Sequence, residues 1–312
     1  MSSVGMQPVS DAGAVQMSTR ARTLRASSAF FVLYLLSMPV YCLVRLSGQQ
    51  ALIGPSTAFT AISLFAFSLA HCIETRGAWR SSLMLLAGFA IALTTEYLGS
   101  TYGLIFGQYD YTDNLGPKVL GKVPVIIPIA WFMMLYPAWN VADLLVVQVI
   151  RRMTQDAKHR APHHLAYPIV RIVVAALAMT AWDLSLDPRM VADGNWVWRD
   201  GGAYFGIPLS NYAGWFITSA LIYCTWHLIE SPSSHSPSYR SLIFDPSQFS
   251  ILDSQFLPVW AYIVTWLGES LANAVFWSGP AVAVAVFVGM GVFGGPALWL
   301  MLRTARRAAD AA

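Results

Sequence analysis

Long apolar runs constrain the fold of this chain more than any other feature. A helix needs about 20 apolar residues to cross a bilayer. The runs that approach this length are roughly 28–46, 56–73, 81–98, 123–150, 167–183, 211–228, 257–277 and 279–302. Only 11% of the residues are charged, whereas a soluble domain carries about 25%. The sequence therefore predicts an all-α, polytopic bundle of eight transmembrane helices in the cell membrane, or of seven if 257–302 is one broken helix.

Positive charges are distributed unevenly between the two ends of the predicted helices. All lysines and arginines lie on the side of the N-terminus except Arg45, Lys118, Lys122, Arg189 and Arg199. Because cytoplasmic loops carry the excess of positive charge, we expect both termini in the cytoplasm. The predicted organisation is a disordered tail (1–26), a single membrane domain (27–303) and a second tail (304–312). We expect membrane lipid to surround the helices, and nothing in this charge pattern indicates nucleic-acid binding.

Two of the predicted spans end in carboxylates and pass into long loops, 97–122 and 184–210, which are rich in Gly, Tyr and Trp. Glu96 lies at the end of the third span, and Asp183 and Asp187 lie at the end of the fifth. Ionisable residues at membrane depth are costly and usually functional. A parallel repeat of these span–loop units would bring the two loops together.

Asp183 and Asp187 are four residues apart, so on a helix they share a face with Cβ atoms about 6 Å apart. Pro188 disfavours a helical conformation at Asp187, which favours placing this acid on the first turn of the loop. Two carboxylates this close in an apolar environment do not ionise together easily. With Glu96 they are the predicted catalytic groups, able to act as general acid and general base.

A structural interpretation of these acids stays open. It gives one surface acid and one acid paired with Arg189 at the end of the fifth span, and an interfacial Glu96 that reaches water. Asp143 and Glu269 favour a structural role, in pairs with Arg171 or with asparagine side chains. Asn211 fits two roles equally well, since it can orient a carboxylate or cap the sixth helix.

The predicted substrate-binding residues are aromatic or polar side chains near these acids or in the apolar helices. Aromatic faces can line a channel for a rigid polyene and stabilise a passing cation. Asp110, between two tyrosines, is expected at the rim of a pocket or in a solvated loop. The predicted set is Tyr97, Tyr109, Asp110, Tyr111, Trp131, Trp139, Asn140, Trp182, Tyr204, Asn211 and Trp215.

No metal and no cofactor are predicted. The three cysteines all fall inside predicted spans, which argues against a disulfide framework or a cysteine-based zinc site. His159, His163 and His164 have the spacing of one histidine box of membrane di-iron oxygenases, but the other histidines form no further box. The chain also lacks a Walker A motif and a dinucleotide-binding glycine pattern.

Four motifs in order resemble the CruF-type carotenoid hydratases, a family that includes bisanhydrobacterioruberin, γ-carotene and lycopene-type hydratases. They are "EYLGSTYGLIFGQYDYTDNLGPKVLG", "VPVIIPIAWFMMLYPAWN", "AWDLSLDPRMV" and "WVWRDGGAYFGIPLSNYAGWF", within residues 85–225. The resemblance implies cofactor-free addition of water across the terminal double bond of an acyclic (ψ) carotenoid end group. It also implies an acyclic polyene as substrate, and it leaves open whether other membrane enzymes of carotenoid biosynthesis are partners.

Such a hydration begins with proton transfer to the less substituted alkene carbon, which leaves a tertiary carbocation that water then captures. Asp183, Asp187 and Glu96 are the candidates for the proton transfers. Asn211, Tyr109 and Trp182 are candidates for holding the water and the cation. Three alternatives stay open: a membrane carotenoid cyclase that begins with the same protonation, a proton-coupled transporter, and a non-catalytic carotenoid-binding protein.

Overall fold

The computed structural model describes residues 25–156, 163–230, 253–277 and 279–310. Within these residues the chain folds into a bundle of eight long helices with two small antiparallel strand pairs, β1 with β4 and β2 with β3. The predicted all-α bundle is therefore confirmed. Residues 1–24 of the predicted N-terminal tail, and His159, lie outside the described residues. The elements are α1 Ala26–Ser47, α2 Gln50–Arg76, α3 Ala78–Tyr102, β1 Tyr109–Tyr111, β2 Lys118–Val119, β3 Val123–Pro124, α4 Ile126–Asp156, α5 His163–Ala192, β4 Trp196–Trp198, α6 Leu209–Glu230, α7 Leu257–Val275 and α8 Pro280–Asp310.

Six of these helices are long and apolar enough to cross a membrane, judged by length and composition. They are α1, α2, α3, α8, residues 126–149 of α4 and residues 167–192 of α5. The protein is thus a multi-pass membrane protein. For α6 and α7, crossing the membrane stays a prediction.

Helix α4 is the centre of the bundle, because it packs against α2, α3, α5, α7 and α8. Its most apolar stretch is 83% buried inside the protein, whereas the corresponding stretch of α1 is 17% buried. A helix that is apolar on all sides is expected in such a central position. α4 begins at Ile126, so Pro128 lies in the first turn, where proline is tolerated.

Helix α5 continues beyond Asp187 to Ala192, with Pro188 inside it. The expectation that Asp187 lies on a loop turn is therefore wrong, and the first part of the predicted loop 184–210 is helical. Proline lacks the N–H that would bond the carbonyl four residues earlier. Here the Leu184 carbonyl instead accepts a hydrogen bond from the Tyr204 hydroxyl at 2.9 Å. This contact lets the helix pass through Pro188 without a buried orphan carbonyl.

Helices α7 and α8 are separate and pack against each other. The chain turns between them at Gly279, whose φ of 87° favours glycine. Trp266 of α7 lies against Gly291 and Gly294 of α8, where an added Cβ would come within 2.9 and 2.7 Å of the indole. The glycines of α8 therefore permit this close packing, and the prediction of two helices in 257–302 holds over one broken helix.

A buried ionic cluster joins α2, α4, α5 and α6 at the end of the bundle where α2 and α6 finish. Glu230 accepts hydrogen bonds from Arg76 Nε and Arg171 Nη1, both at 2.8 Å. Arg171 also lies 3.3 Å from Asp143 Oδ1, which confirms the expected pairing of these two residues. Its guanidinium stacks over the Trp139 ring at 3.6 Å. The cluster neutralises charge where the helices converge.

Replacing Glu230 with Gln should destabilise the protein, because the buried guanidinium of Arg171 and the largely buried guanidinium of Arg76 would lose their shared counterion. Breaking a buried ion pair in this way costs about 3–5 kcal/mol. Thermal unfolding in detergent micelles, followed by tryptophan fluorescence, measures the effect. Arg199→Gln is the control, since the pair of Arg199 with Asp110 is half exposed and its loss should change stability little. A Glu230→Gln protein as stable as that control would contradict this interpretation of the cluster.

Candidate active site

A short β-ribbon brings the two acidic regions together. Strand β1 pairs antiparallel with β4, with Tyr109 opposite Trp198 and Tyr111 opposite Trp196. Because side chains alternate along a strand, these four rings share one face, while Asp110 and Val197 point the other way. The ribbon therefore holds four aromatic side chains over the ends of α3 and α5. The two loops therefore meet at this ribbon, whereas the parallel repeat of the span–loop units stays a prediction.

Glu96 lies on α3 beneath this ribbon and is buried. Its Oε2 accepts hydrogen bonds from the hydroxyls of Tyr109 at 2.5 Å and Tyr111 at 2.7 Å. Its Oε1 accepts from Trp131 Nε1 of α4 at 2.8 Å. One turn further along α3, a Cβ on Gly99 would lie 3.0 Å from the Tyr109 hydroxyl, so glycine allows the ring to lie against the helix. Glu96 is thus held as an acceptor by three donors from two elements.

Tyr109 and Tyr111 act as hydrogen-bond donors to Glu96. Burial, followed by the negative charge of Glu96, raises the pKa of both Tyr109 and Tyr111 well above the usual value. Both phenols therefore keep their protons and present them to the carboxylate.

Asp183 and Asp187 lie one turn apart on the same face of α5, and both are buried. Asn211, in the first turn of α6, bridges them: its Nδ2 donates to Asp183 Oδ2 at 2.7 Å and to Asp187 Oδ2 at 2.8 Å. Of the two roles open for Asn211, the structure shows the contact with carboxylates. Within the described residues, Asp183 Oδ1 has no hydrogen-bond partner.

Asp187 is further held by the ribbon. Its Oδ1 accepts hydrogen bonds from the indole nitrogens of Trp196 at 2.7 Å and Trp198 at 3.0 Å. The structural interpretation paired one of these acids with Arg189. Arg189 instead pairs with Glu269, at 3.4 Å. The side chain of Arg189 leaves a different face of α5, so the aspartate pair has only neutral hydrogen-bond donors around it in the described residues.

A small cavity joins the acids, and we name it the carboxylate cavity. Its volume is about 30 Å³, room for about two waters at about 10–15 Å³ each. Trp131 and Trp215 form part of its wall and stack with ring centroids 4.2 Å apart. The full lining is Glu96, Phe106, Tyr109, Tyr111, Ile127, Ala130, Trp131, Leu186, Asp187, Trp196, Trp198, Asn211 and Trp215.

The structure thus places seven of the predicted site residues in the lining of the carboxylate cavity. Asp183 does not line this cavity, but it accepts a hydrogen bond from Asn211, which does. Trp182 packs edge-on against Trp215 at 5.9 Å. Tyr204 contacts the backbone of α5, as described above. Tyr97 is partly buried in the apolar core on α3 and does not line the cavity.

Three other predicted substrate-binding residues lie away from the cavity. Asp110 is on the outer face of the ribbon, where Arg199 donates to both of its oxygens at 2.6 and 2.7 Å. This guanidinium holds the pKa of the Asp110 carboxyl below its usual range. Trp139 belongs to the ionic cluster, where its indole donates to Glu230. Asn140 lies beside it and donates to the Tyr136 carbonyl at 2.7 Å.

Sequence reasoning missed Trp196 and Trp198 as partners of Asp187. A signal was present in the two aromatic–x–aromatic triplets, Tyr109–Tyr111 and Trp196–Trp198. Alternation of this kind puts both rings of a triplet on one face of a strand. Pairing of the two strands would then have placed the indoles beside the acids.

A second, larger space was not expected from the sequence, and we name it the large cavity. It has a volume of about 1070 Å³ and lies between α1, α2, α4, α5 and α7. Ile127, Ala130 and Leu186 line both this space and the carboxylate cavity. The Arg189–Glu269 pair is in its wall, with Ser185 donating to Glu269 at 2.6 Å. Glu269 is thus paired with Arg189 rather than with Arg171.

Known proteins resemble this chain over the same region. A family model described as carotenoid biosynthesis protein matches residues 56–292, which include every acid of the site. Bisanhydrobacterioruberin hydratase of Haloarcula japonica is 29% identical over 142 residues, which cover 46% of this chain and 43% of that protein. The match thus spans less than half of the length of this relative. No solved structure matches. Since the family model covers well over half of the residues, the chain belongs to the carotenoid biosynthesis protein family.

Proposed function

We propose that this protein is a carotenoid hydratase, which adds water across the terminal double bond of an acyclic carotenoid end group. The observation that carries the proposal is the carboxylate cavity, where two buried acids face a common space walled by stacked indoles. The similarity to a protein named as a hydratase supports it. Only a proton and a water are needed, so no cofactor enters the proposed reaction.

The aspartate pair is the proposed source of the proton. Two adjacent buried carboxylates share one proton more readily than they carry two charges. Asp187 faces the cavity and is the group that transfers this proton to the less substituted alkene carbon. Asp183 does not line the cavity and acts through Asp187, to which Asn211 joins it. The π electrons of the alkene form the new C–H bond, and the positive charge is left on the tertiary carbon.

The cavity wall is suited to stabilise that charge. The faces of Trp131 and Trp215 present π electrons, which attract cations within about 6 Å. In the proposed step Glu96 is ionised and, held by three donors, places a negative charge at the same cavity. We infer that these groups lower the energy of the tertiary carbocation.

Glu96 is the proposed base for the second step. A water in the cavity donates a hydrogen bond to the Glu96 carboxylate and attacks the cationic carbon, forming the C–O bond. One water proton passes to Glu96, and the product is a tertiary alcohol. Return of this proton to the aspartate pair completes the cycle, so that one water is consumed in each turnover.

Expression in a bacterium that accumulates lycopene or a longer acyclic carotenoid tests this function. The extracted pigments are separated by chromatography, and their molecular masses are measured by mass spectrometry. We expect a product heavier by one water with unchanged polyene absorption, because the terminal double bond of such an end group is not conjugated with the chromophore. An isomer of unchanged mass that carries a cyclic end group would instead identify a cyclase. Unaltered pigments from cells with folded protein would contradict the proposal for those substrates.

A further inference from the structure

We propose that the large cavity is the channel that holds the polyene, and that Ile127, Ala130 and Leu186 form the passage by which the end group reaches the carboxylates. The inference rests on the proposed function, because it names where the substrate of that site lies. It starts from the size of the carboxylate cavity, whose volume of about 30 Å³ leaves no room for a carotenoid chain. The bulk of the substrate must therefore lie elsewhere.

The two cavities meet at one place. Ile127 and Ala130 of α4 and Leu186 of α5 have one cavity on each side. Leu186 directly precedes Asp187, so the passage lies next to the proposed proton donor. A chain lying in the large cavity would reach Asp187 and Glu96 after passing only these three side chains.

The size of the large cavity is suited to an extended ligand. Ligand pockets usually have volumes of about 300–1,000 Å³, and this one has about 1070 Å³. Four of the α2 residues in its wall are small: Ala51, Gly54, Ala58 and Ala61. These positions are three or four residues apart and so lie on one face of the helix.

The chemistry of the wall favours an apolar occupant. Its charged side chains pair with each other, Arg189 with Glu269 at 3.4 Å and Arg45 with Asp193 at 2.7 Å. Much of the remaining surface is apolar, and its lining includes Met38, Leu64 and Met133. A hydrocarbon polyene would bury its apolar surface there, and it has no groups that need a hydrogen-bond partner.

The cavity is also open toward the outside of the bundle. Leu271 of α7, in its wall, is 65% exposed. Gly54 of α2 is exposed as well, and a Cβ added there would meet no atom within 4 Å. Gly54 lies on α2, one of the six helices long and apolar enough to cross a membrane, and in this proposal a polyene dissolved in lipid enters between α2 and α7 without crossing water.

The experiment uses four variants of the full chain in carotenoid-accumulating cells, with two readouts for each. The first readout is polyene bound to the purified protein, measured by absorption. The second is the hydrated product, measured by mass. Ala58→Phe combined with Ala61→Phe fills the channel, and Ala130→Leu narrows the passage. Ile62→Phe is the matched control, because Ile62 is on the same helix, is exposed and does not line the cavity.

We expect the channel-filling variant to lose bound polyene about tenfold or more, the change that about 1.4 kcal/mol of steric exclusion produces, and to lose product with it. Ala130→Leu should retain bound polyene and lose product about a hundredfold, because the end group is held away from the acids. The control should match the unmodified protein in both readouts. Gly54→Leu is a milder filling variant, with free space for its side chain, should the double variant not fold.

The outcomes separate this inference from the proposed function. Bound polyene that depends on Ala58 and Ala61, without hydrated product from any variant or from the unmodified protein, would support the channel and refute the hydratase. Hydration that proceeds unchanged in the channel-filling variant and in Gly54→Leu would overturn the channel while the hydratase stands. Co-purified phospholipid in the cavity, with polyene binding unaffected by filling, would likewise overturn it.

Discussion

Asp187→Asn is expected to reduce hydration by about 10²–10⁴-fold, the usual contribution of a positioned general acid, while the polyene stays bound. Asparagine has the size of aspartate and retains the oxygen that accepts the two indole hydrogen bonds. It has no proton that it can give to an alkene. The effect is measured as the rate at which the heavier pigment forms per amount of folded protein.

Asp110→Asn is the matched control for this variant. Asp110 lies on the outer face of the same ribbon, and its side chain is half exposed and paired with Arg199. Its replacement should leave the hydration rate near that of the unmodified protein. A rate for Asp187→Asn equal to the control would remove Asp187 from the proposed mechanism. Loss of bound polyene together with product would show that Asp187 is needed for the shape of the site instead.

Glu96→Gln is expected to lower the amount of hydrated product by about 10²-fold or more, because the variant loses the base and a charge that stabilises the cation. The fold should tolerate the change. The glutamine oxygen can accept from Trp131, which only donates, while its NH₂ group faces the Tyr109 and Tyr111 hydroxyls, which can reorient to accept. Protonation by the aspartate pair is still available in this variant.

The products of Glu96→Gln distinguish its role from that of Asp187. A cation that water captures slowly loses a proton instead, so a double-bond isomer of unchanged mass should accumulate relative to the hydrate. Chromatography with mass spectrometry measures this ratio. Asp113→Asn, in the loop that follows α3 and with its side chain 99% exposed, is the control. Equal loss of isomer and hydrate would mean that Glu96 acts before the cation forms.

The buried carboxyl groups of Glu96 and Asp187 accept hydrogen bonds from neutral donors and have no positively charged partner among the described residues. Glu96 accepts from two phenols and an indole, and Asp187 accepts from two indoles and an amide. An arginine close to either acid would hold the acid ionised and would also repel a carbocation. The nearby arginine of α5, Arg189, is instead paired with Glu269 in the large cavity. The separation of charged pairs from the acids is consistent with chemistry on a cationic intermediate.

Local features of the sequence were sufficient to predict the helices and the buried acids of the candidate site. Apolar runs predict membrane helices because span length is set by bilayer thickness. The four-residue spacing of Asp183 and Asp187 predicts a common helix face from the geometry of one helix. Glu96 was identified in the same way, as an acid at the end of an apolar run. None of these predictions required knowledge of which helices are neighbours.

Contacts between distant segments lie beyond such reasoning. Pro188 was expected to end the helix before Asp187, yet the Tyr204 hydroxyl, 16 residues further along the chain than Pro188, satisfies the carbonyl that the proline leaves free. Trp139 and Asn140 resemble the other aromatic and polar candidates in sequence, but the packing of α4 places them in the ionic cluster. The acids themselves were predictable from the chain, whereas their indole partners and the large cavity depend on how α2, α4, α5 and the ribbon pack together. The reason is that hydrogen bonds and cavities are formed between segments, so their energy appears only once those segments meet.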